Sequence, residues 1–116
     1  MDTLTTPQPT VLTGPDVARL ASVPLDSLSG VQHRVLWQDG SSMAGVLTID
    51  AGERLGMHAH RINHHHIWVL EGTASICGSE VGPGSYVHVP AGVEHDLDAT
   101  RTEGCRVFYL YVRPGE

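Results

Sequence analysis

The chain contains no lysine at all: its seven basic residues are arginines, set against thirteen acids for a formal charge of −6. The absence of lysine removes Schiff-base chemistry. No basic run exists either, so nucleic acid and anionic membrane surfaces are excluded as expected partners. No apolar stretch approaches the ~20 residues that a membrane-spanning helix needs. The opening residues "MDTLTTPQPTVLTGPDVARLASVPL" lack the positive start and apolar centre of a secretory leader. The expected compartment is therefore the cytoplasm. Cysteine is scarce: Cys77 and Cys105 stand far apart, form no CxxC pattern, and read as small buried hydrophobes in a reducing compartment. Also missing are a G-x-S-x-G elbow, a phosphate-binding loop and an HExxH helix.

What remains is organised as short strands. At 116 residues and 41% hydrophobic content, the chain fits one domain with one core. Residues 1–25 read as an N-terminal arm. Within it, "TGPDVARLASVP" carries a short helix signal: Thr13 or Gly14 as cap, Pro15 in the first turn and Pro24 as stop. Residues 26–116 form the expected domain. There "VQHRVLW", "MAGVLTI", "HIWVLEG", "TASIC", "SYVHVP", "HDLDA" and "CRVFYLYV" are β-branched or aromatic segments separated by Gly, Pro and acidic turns. Strands at this spacing predict an all-β antiparallel sandwich or barrel.

Histidine is the residue in excess. Of eight, five fall in "GERLGMHAHRINHHHIWVLEG", residues 52–72, and another, His95, follows in "PAGVEHD". His58 and His60 are two apart, so on an extended segment they share a face. His65 follows a four-residue gap and shares parity with Ile67 and Val69, which predicts that it points inward with them. His64 and His66 then face the opposite side, although a three-residue gap would make His64 the ligand instead. His33 and His88 fit no motif and read as ordinary strand histidines. Imidazoles drawn from separate strands are suited to gathering around one cation at ~2.0–2.1 Å, the zinc–nitrogen distance.

These residues resemble the two motifs of the cupin superfamily. The first, G-x5-H-x-H-x(3,4)-E-x6-G, runs through Gly52, His58, His60, position 65 and Gly72, with His65 where the family usually has glutamate. The second, G-x5-P-x-G-x2-H-x3-N, runs through Gly84, Pro90, Gly92 and His95 and ends on Ala99 in place of asparagine. The resemblance implies a double-stranded β-helix, an antiparallel jelly-roll barrel, commonly homodimeric, with one divalent transition-metal ion per chain at its mouth. The implied ligands are His58, His60, His65 and His95. Four neutral ligands leave the ion its full +2 charge and, if it is octahedral, two open positions. Nitrogen ligation admits zinc, copper, nickel and iron, and four-histidine relatives also carry manganese.

The implied function is that of a metal-dependent enzyme on a small organic molecule. Oxidation, dioxygenation or C–C cleavage comes first, and redox-independent isomerisation, cyclisation or elimination second. The alternative of another class is a non-catalytic metal or small-molecule sensor. An arm this short and polar does not read as a DNA-binding extension, which favours the enzyme. Sequence names no general base. Arg54 and Arg61 are placed to attract a carboxylate or lie in solvent, and Glu94 and Asp96 alternate away from His95. Trp37, Met43, Trp68, Phe108, Tyr109 and Tyr111 are candidates for the core, the mouth or a dimer face.

Overall fold

The computed structural model describes residues 8–24, 30–55, 63–100 and 102–113. A capped turn of helix opens the described chain. In α1 (Gly14–Arg19), the Thr13 side chain accepts from the Asp16 backbone N–H and the Asp16 carboxylate accepts from that of Thr13. Two orphan donors are thereby satisfied, as a capping box requires. The helix ends at Arg19, before Pro24, and buries none of its residues.

Among the described residues nine strands follow: β1 (Val23–Pro24), β2 (Val31–Asp39), β3 (Ser42–Ile49), β4 (His64–Gly72), β5 (Ala74–Ile76), β6 (Ser79–Val81), β7 (Tyr86–Val89), β8 (Leu97–Ala99) and β9 (Cys105–Val112). They form a six-stranded sheet ordered β1-β2-β3-β9-β4-β7 and a three-stranded sheet ordered β6-β5-β8. All pairings are antiparallel. The expected all-β jelly-roll is what these residues build.

Strand parity explains the core. Along β4, His65, Ile67 and Val69 are buried while Trp68 and Leu70 are exposed. Along β9, Cys105, Val107 and Tyr109 turn inward. Ala74, Ile76, Leu97 and Ala99 from the smaller sheet meet Val31, Leu47, Ile49, Ile67, Val69 and Val107 from the larger. Fully burying one such Ile or Leu contributes about 2–3 kcal/mol. The strands thus supply a core from apolar contacts alone.

The cysteines divide. Cys105 is buried, as expected, and burial pushes its thiol up to about 11. Cys77 corrects the expectation: it is exposed, at the tip of the β5–β6 hairpin. Cys77 and Gly78 both have positive φ, 53° and 77°. A two-residue hairpin loop of this hand matches the strand twist, and it turns the Cys77 side chain away from the core. The alternation of "TASIC" stops at Ile76, because Cys77 already belongs to the turn.

Candidate metal centre

The two inner histidines that the structure describes reach the same point from different elements. His65 is the second residue of β4. His95 follows the Pro90–Gly92 turn, where Gly92 takes φ 83° and the Val93 N–H returns to the Pro90 carbonyl at 3.2 Å. Each is 1% exposed, and His65 Nδ1 lies 3.2 Å from His95 Nε2. The other His95 nitrogen, Nδ1, is 3.2 Å from the Val93 carbonyl oxygen. A carbonyl only accepts, so Nδ1 carries the hydrogen and Nε2 turns its lone pair toward His65. Such a backbone contact fixes the tautomer and ring orientation that metal ligation needs.

That separation fits a shared cation. Two nitrogens each ~2.0–2.1 Å from one ion, subtending an angle between octahedral and tetrahedral values, stand roughly 2.9–3.4 Å apart. Among the described residues no group of three or more His, Cys, Asp or Glu converges on one point. His58 and His60, the other two candidate ligands, lie outside the described residues. The geometry therefore bears on half of the expected set.

Cross-strand register builds the walls. Met43, Tyr111, His65 and Val89 lie opposite one another across β3, β9, β4 and β7. The Tyr111 ring centroid is 4.6 Å from that of His65, and Tyr109 stands 6.3 Å from it. The Tyr109 hydroxyl donates to the Met43 sulfur at 3.4 Å. Burial, followed by the neighbouring Tyr109, holds the Tyr111 phenol well above its usual range, and burial also raises Tyr109. Gly45, paired with Tyr109, is required here: a Cβ at that position would collide with the tyrosine ring.

The remaining histidines of the cluster sit outside. His64 and His66 are half-buried on the opposite face of β4, and β7 lays His88 beside them. His64 Nδ1 is 3.3 Å from His88 Nε2, and His66 Nδ1 shares a hydrogen bond with the Tyr86 hydroxyl at 2.7 Å. Partial burial, then His88 and His64, lowers the His66 pKa. This outer group was not legible in sequence, because His88 joins it only through the β4–β7 register. The parity argument predicts that His65→Ala lowers metal retention after dialysis far more than His64→Ala, read by elemental analysis. The opposite ranking would assign the ligand role to His64.

The charged neighbours have local partners. Arg54 Nε lies 3.3 Å from the Asp98 carboxylate, so the carboxylate it attracts is the chain's own. With the Arg54 side chain 74% exposed, that pair contributes little stability. Glu94 is exposed and Asp96 half-buried. Arg61 lies outside the described residues.

Comparison with known proteins agrees with this architecture. The structure is similar to that of the polyketide cyclase RemF from Streptomyces resistomycificus: TM-score 0.72, 22% identity, 84% of this chain and 78% of that one. It is also similar to a chain in the complex of Rhodobacter sphaeroides SigE with the anti-sigma ChrR: TM-score 0.69, 23% identity, 81% of this chain but 49% of that one. A predicted oxalate decarboxylase from Thermotoga maritima gives TM-score 0.74 at 13% identity, covering 84% of this chain and 96% of that one. At such identities the likeness is one of fold, and it spans enzymes and a regulator alike. No curated protein matches the sequence. No helix among the described residues is long and apolar enough to cross a membrane. The model of the ChrR cupin-like domain matches residues 14–112, nearly the whole chain, and this protein belongs to that family of cupins.

Proposed function

We propose that this cupin is a metal-dependent enzyme acting on a small oxygen-bearing organic molecule, with His58, His60, His65 and His95 as its metal ligands. One observation carries the reading: two imidazoles from distant parts of the chain, both 1% exposed, bring ring nitrogens within 3.2 Å of each other. The two rings pair with each other as they stand, and the same 3.2 Å spacing is what two ligands of one cation would have. When bound, a divalent ion on neutral imidazoles supplies Lewis acidity to a ligand oxygen. The chain's own residues do the rest. The Val93 carbonyl orients His95, the His65 ring packs on Tyr111, and the two tyrosine rings wall off water from one side.

The lining favours redox-neutral enolisation, as in an isomerisation, cyclisation or elimination, over the oxidation that leads the sequence reading. Met43 touches the Tyr109 hydroxyl and lies opposite Tyr111 in the register. A thioether so placed is readily converted to sulfoxide beside oxygen-activating chemistry. A second reading, a ligand-sensing domain, draws on the family match itself, whose namesake appears in a complex with SigE. The test is hydrogen exchange in D2O, followed by NMR, over a panel of enolisable keto acids and ketones with zinc-loaded protein. Exchange that survives without O2 and disappears in His95→Ala supports the enzyme. O2 uptake confined to iron- or manganese-loaded protein would select oxidation. A ligand-induced rise in melting temperature without turnover would select the sensor.

A further inference from the structure

The outer face of β4 carries a second histidine pair with the spacing of the inner one. Alternation turns His64 and His66 away from the barrel interior, and the β4–β7 register sets His88 directly across from His66. His64 is therefore the diagonal neighbour of His88, within reach of a side chain of this length. The two contacts that His88 makes differ in kind. With His66 it stacks face to face, the ring centroids 4.9 Å apart and the planes 21° from parallel. With His64 it meets nitrogen to nitrogen: His64 Nδ1 lies 3.3 Å from His88 Nε2, with the planes tilted by 47°. Packing alone accounts for the first contact. The second leaves one hydrogen shared between two nitrogens, at the separation that two ligands of one cation show.

The surroundings brace this pair and leave it open. His66 is held on its own side, Nδ1 at 2.7 Å from the Tyr86 hydroxyl and its ring 22° from parallel with that of Trp68, so His88 rests on a fixed platform. His88 is exposed and His64 half-buried, so an ion between them keeps positions open to water. To receive it, the neutral rings carry their hydrogens on His64 Nε2 and His88 Nδ1, a change of tautomer with no net proton released. Two arginines share this face by register, and each is engaged elsewhere: Arg34 with the Leu20 carbonyl and Arg106 with the Glu71 carboxylate. The net charge of −6 draws cations toward the chain. Imidazole nitrogens then select their class: zinc, copper(II) or nickel(II), and not magnesium or calcium, which take oxygen ligands.

We propose that His64 and His88 form a second, solvent-open site for a divalent transition-metal ion, on the opposite face of β4 from the inner centre. Two protein ligands hold an ion less tightly than four, so this one is lost on dialysis and is read by titration. Calorimetric titration of the full chain with zinc is expected to show one further equivalent, weaker than the inner ion. His64→Ala and His88→Ala should each weaken it at least about tenfold. The double variant should lose no more than either single one, because removing one arm already breaks a chelate. An unchanged far-UV spectrum verifies folding in each. His33→Ala, on another strand, should leave the equivalent as it is. Copper(II) bound there should show electron paramagnetic resonance splitting from two imidazole nitrogens. A wild type without the further equivalent would overturn the proposal. Losses that add in the double variant, as for two unrelated histidines, would overturn it as well, and so would equal weakening in His33→Ala. Disappearance of the equivalent in His95→Ala would assign it to the inner centre and overturn the second site.

Discussion

Alanine at His95 is expected to take the protein from about one tightly held transition-metal ion per chain to almost none, with the barrel still folded. His95 is 1% exposed and directs Nε2 at His65. Loss of an outer-shell partner alone typically weakens metal binding roughly 10–100-fold, and loss of a direct ligand should exceed that. The fold should survive because the strands are joined by Ile49, Ile67, Ile76, Leu97 and Val107, which owe nothing to the metal. Losing the hydrogen bond between the two rings should cost about 0.5–1.5 kcal/mol. Thermal melts provide a second readout. Zinc at a hundred times its dissociation constant should stabilise the wild type by ~2.7 kcal/mol, and the variant not at all. Equal metal content in the two proteins would remove His95 from the site.

A comparable effect, on stability rather than binding, is expected at Gly72, the last residue of the first motif. Its φ of 74° disfavours any side chain, and a Cβ would run into the Gly104 carbonyl, with Cys105 Cα at 2.9 Å. Both obstacles are backbone and cannot swing aside. The left-handed conformation costs an L-residue about 1–2 kcal/mol. Overpacking adds about 1–3 kcal/mol. Gly72→Ala should therefore lose roughly 3 kcal/mol out of the ~5–15 kcal/mol that holds a domain together. Gly78 is the control: its φ is 77°, but nothing lies within 4 Å of an added Cβ. Gly78→Ala should lose only the conformational part, about 1–2 kcal/mol. Urea unfolding of both variants distinguishes the terms, and equal midpoints would show that the contact with Gly104 carries no weight.

The strands were legible where alternation was strong and long. "CRVFYLYV" is β9 residue for residue, and the parity of His65 with Ile67 and Val69 is the parity of burial. Short polar elements were not legible. β6, "SEV", has no apolar face to announce it, and β1 is two residues whose pairing depends on β2. Cys77 misled because a two-residue turn interrupts the alternation just where the side chain is small. The walls of the site were visible only as a pool of candidates. Placing Tyr111 beside His65, or His88 beside His66, requires a register between strands separated by tens of residues, and composition holds no record of it. The glycine motifs, by contrast, pointed to real constraints: Gly52, Gly72, Gly84 and Gly92 all take positive φ.

Crystallography of the metal-loaded protein, with anomalous data collected on both sides of the metal's absorption edge, addresses the central claim most directly. The expected result is a single anomalous peak bonded to one nitrogen each of His58, His60, His65 and His95. A peak among other side chains, or a carboxylate oxygen in place of the His65 ring, would contradict it.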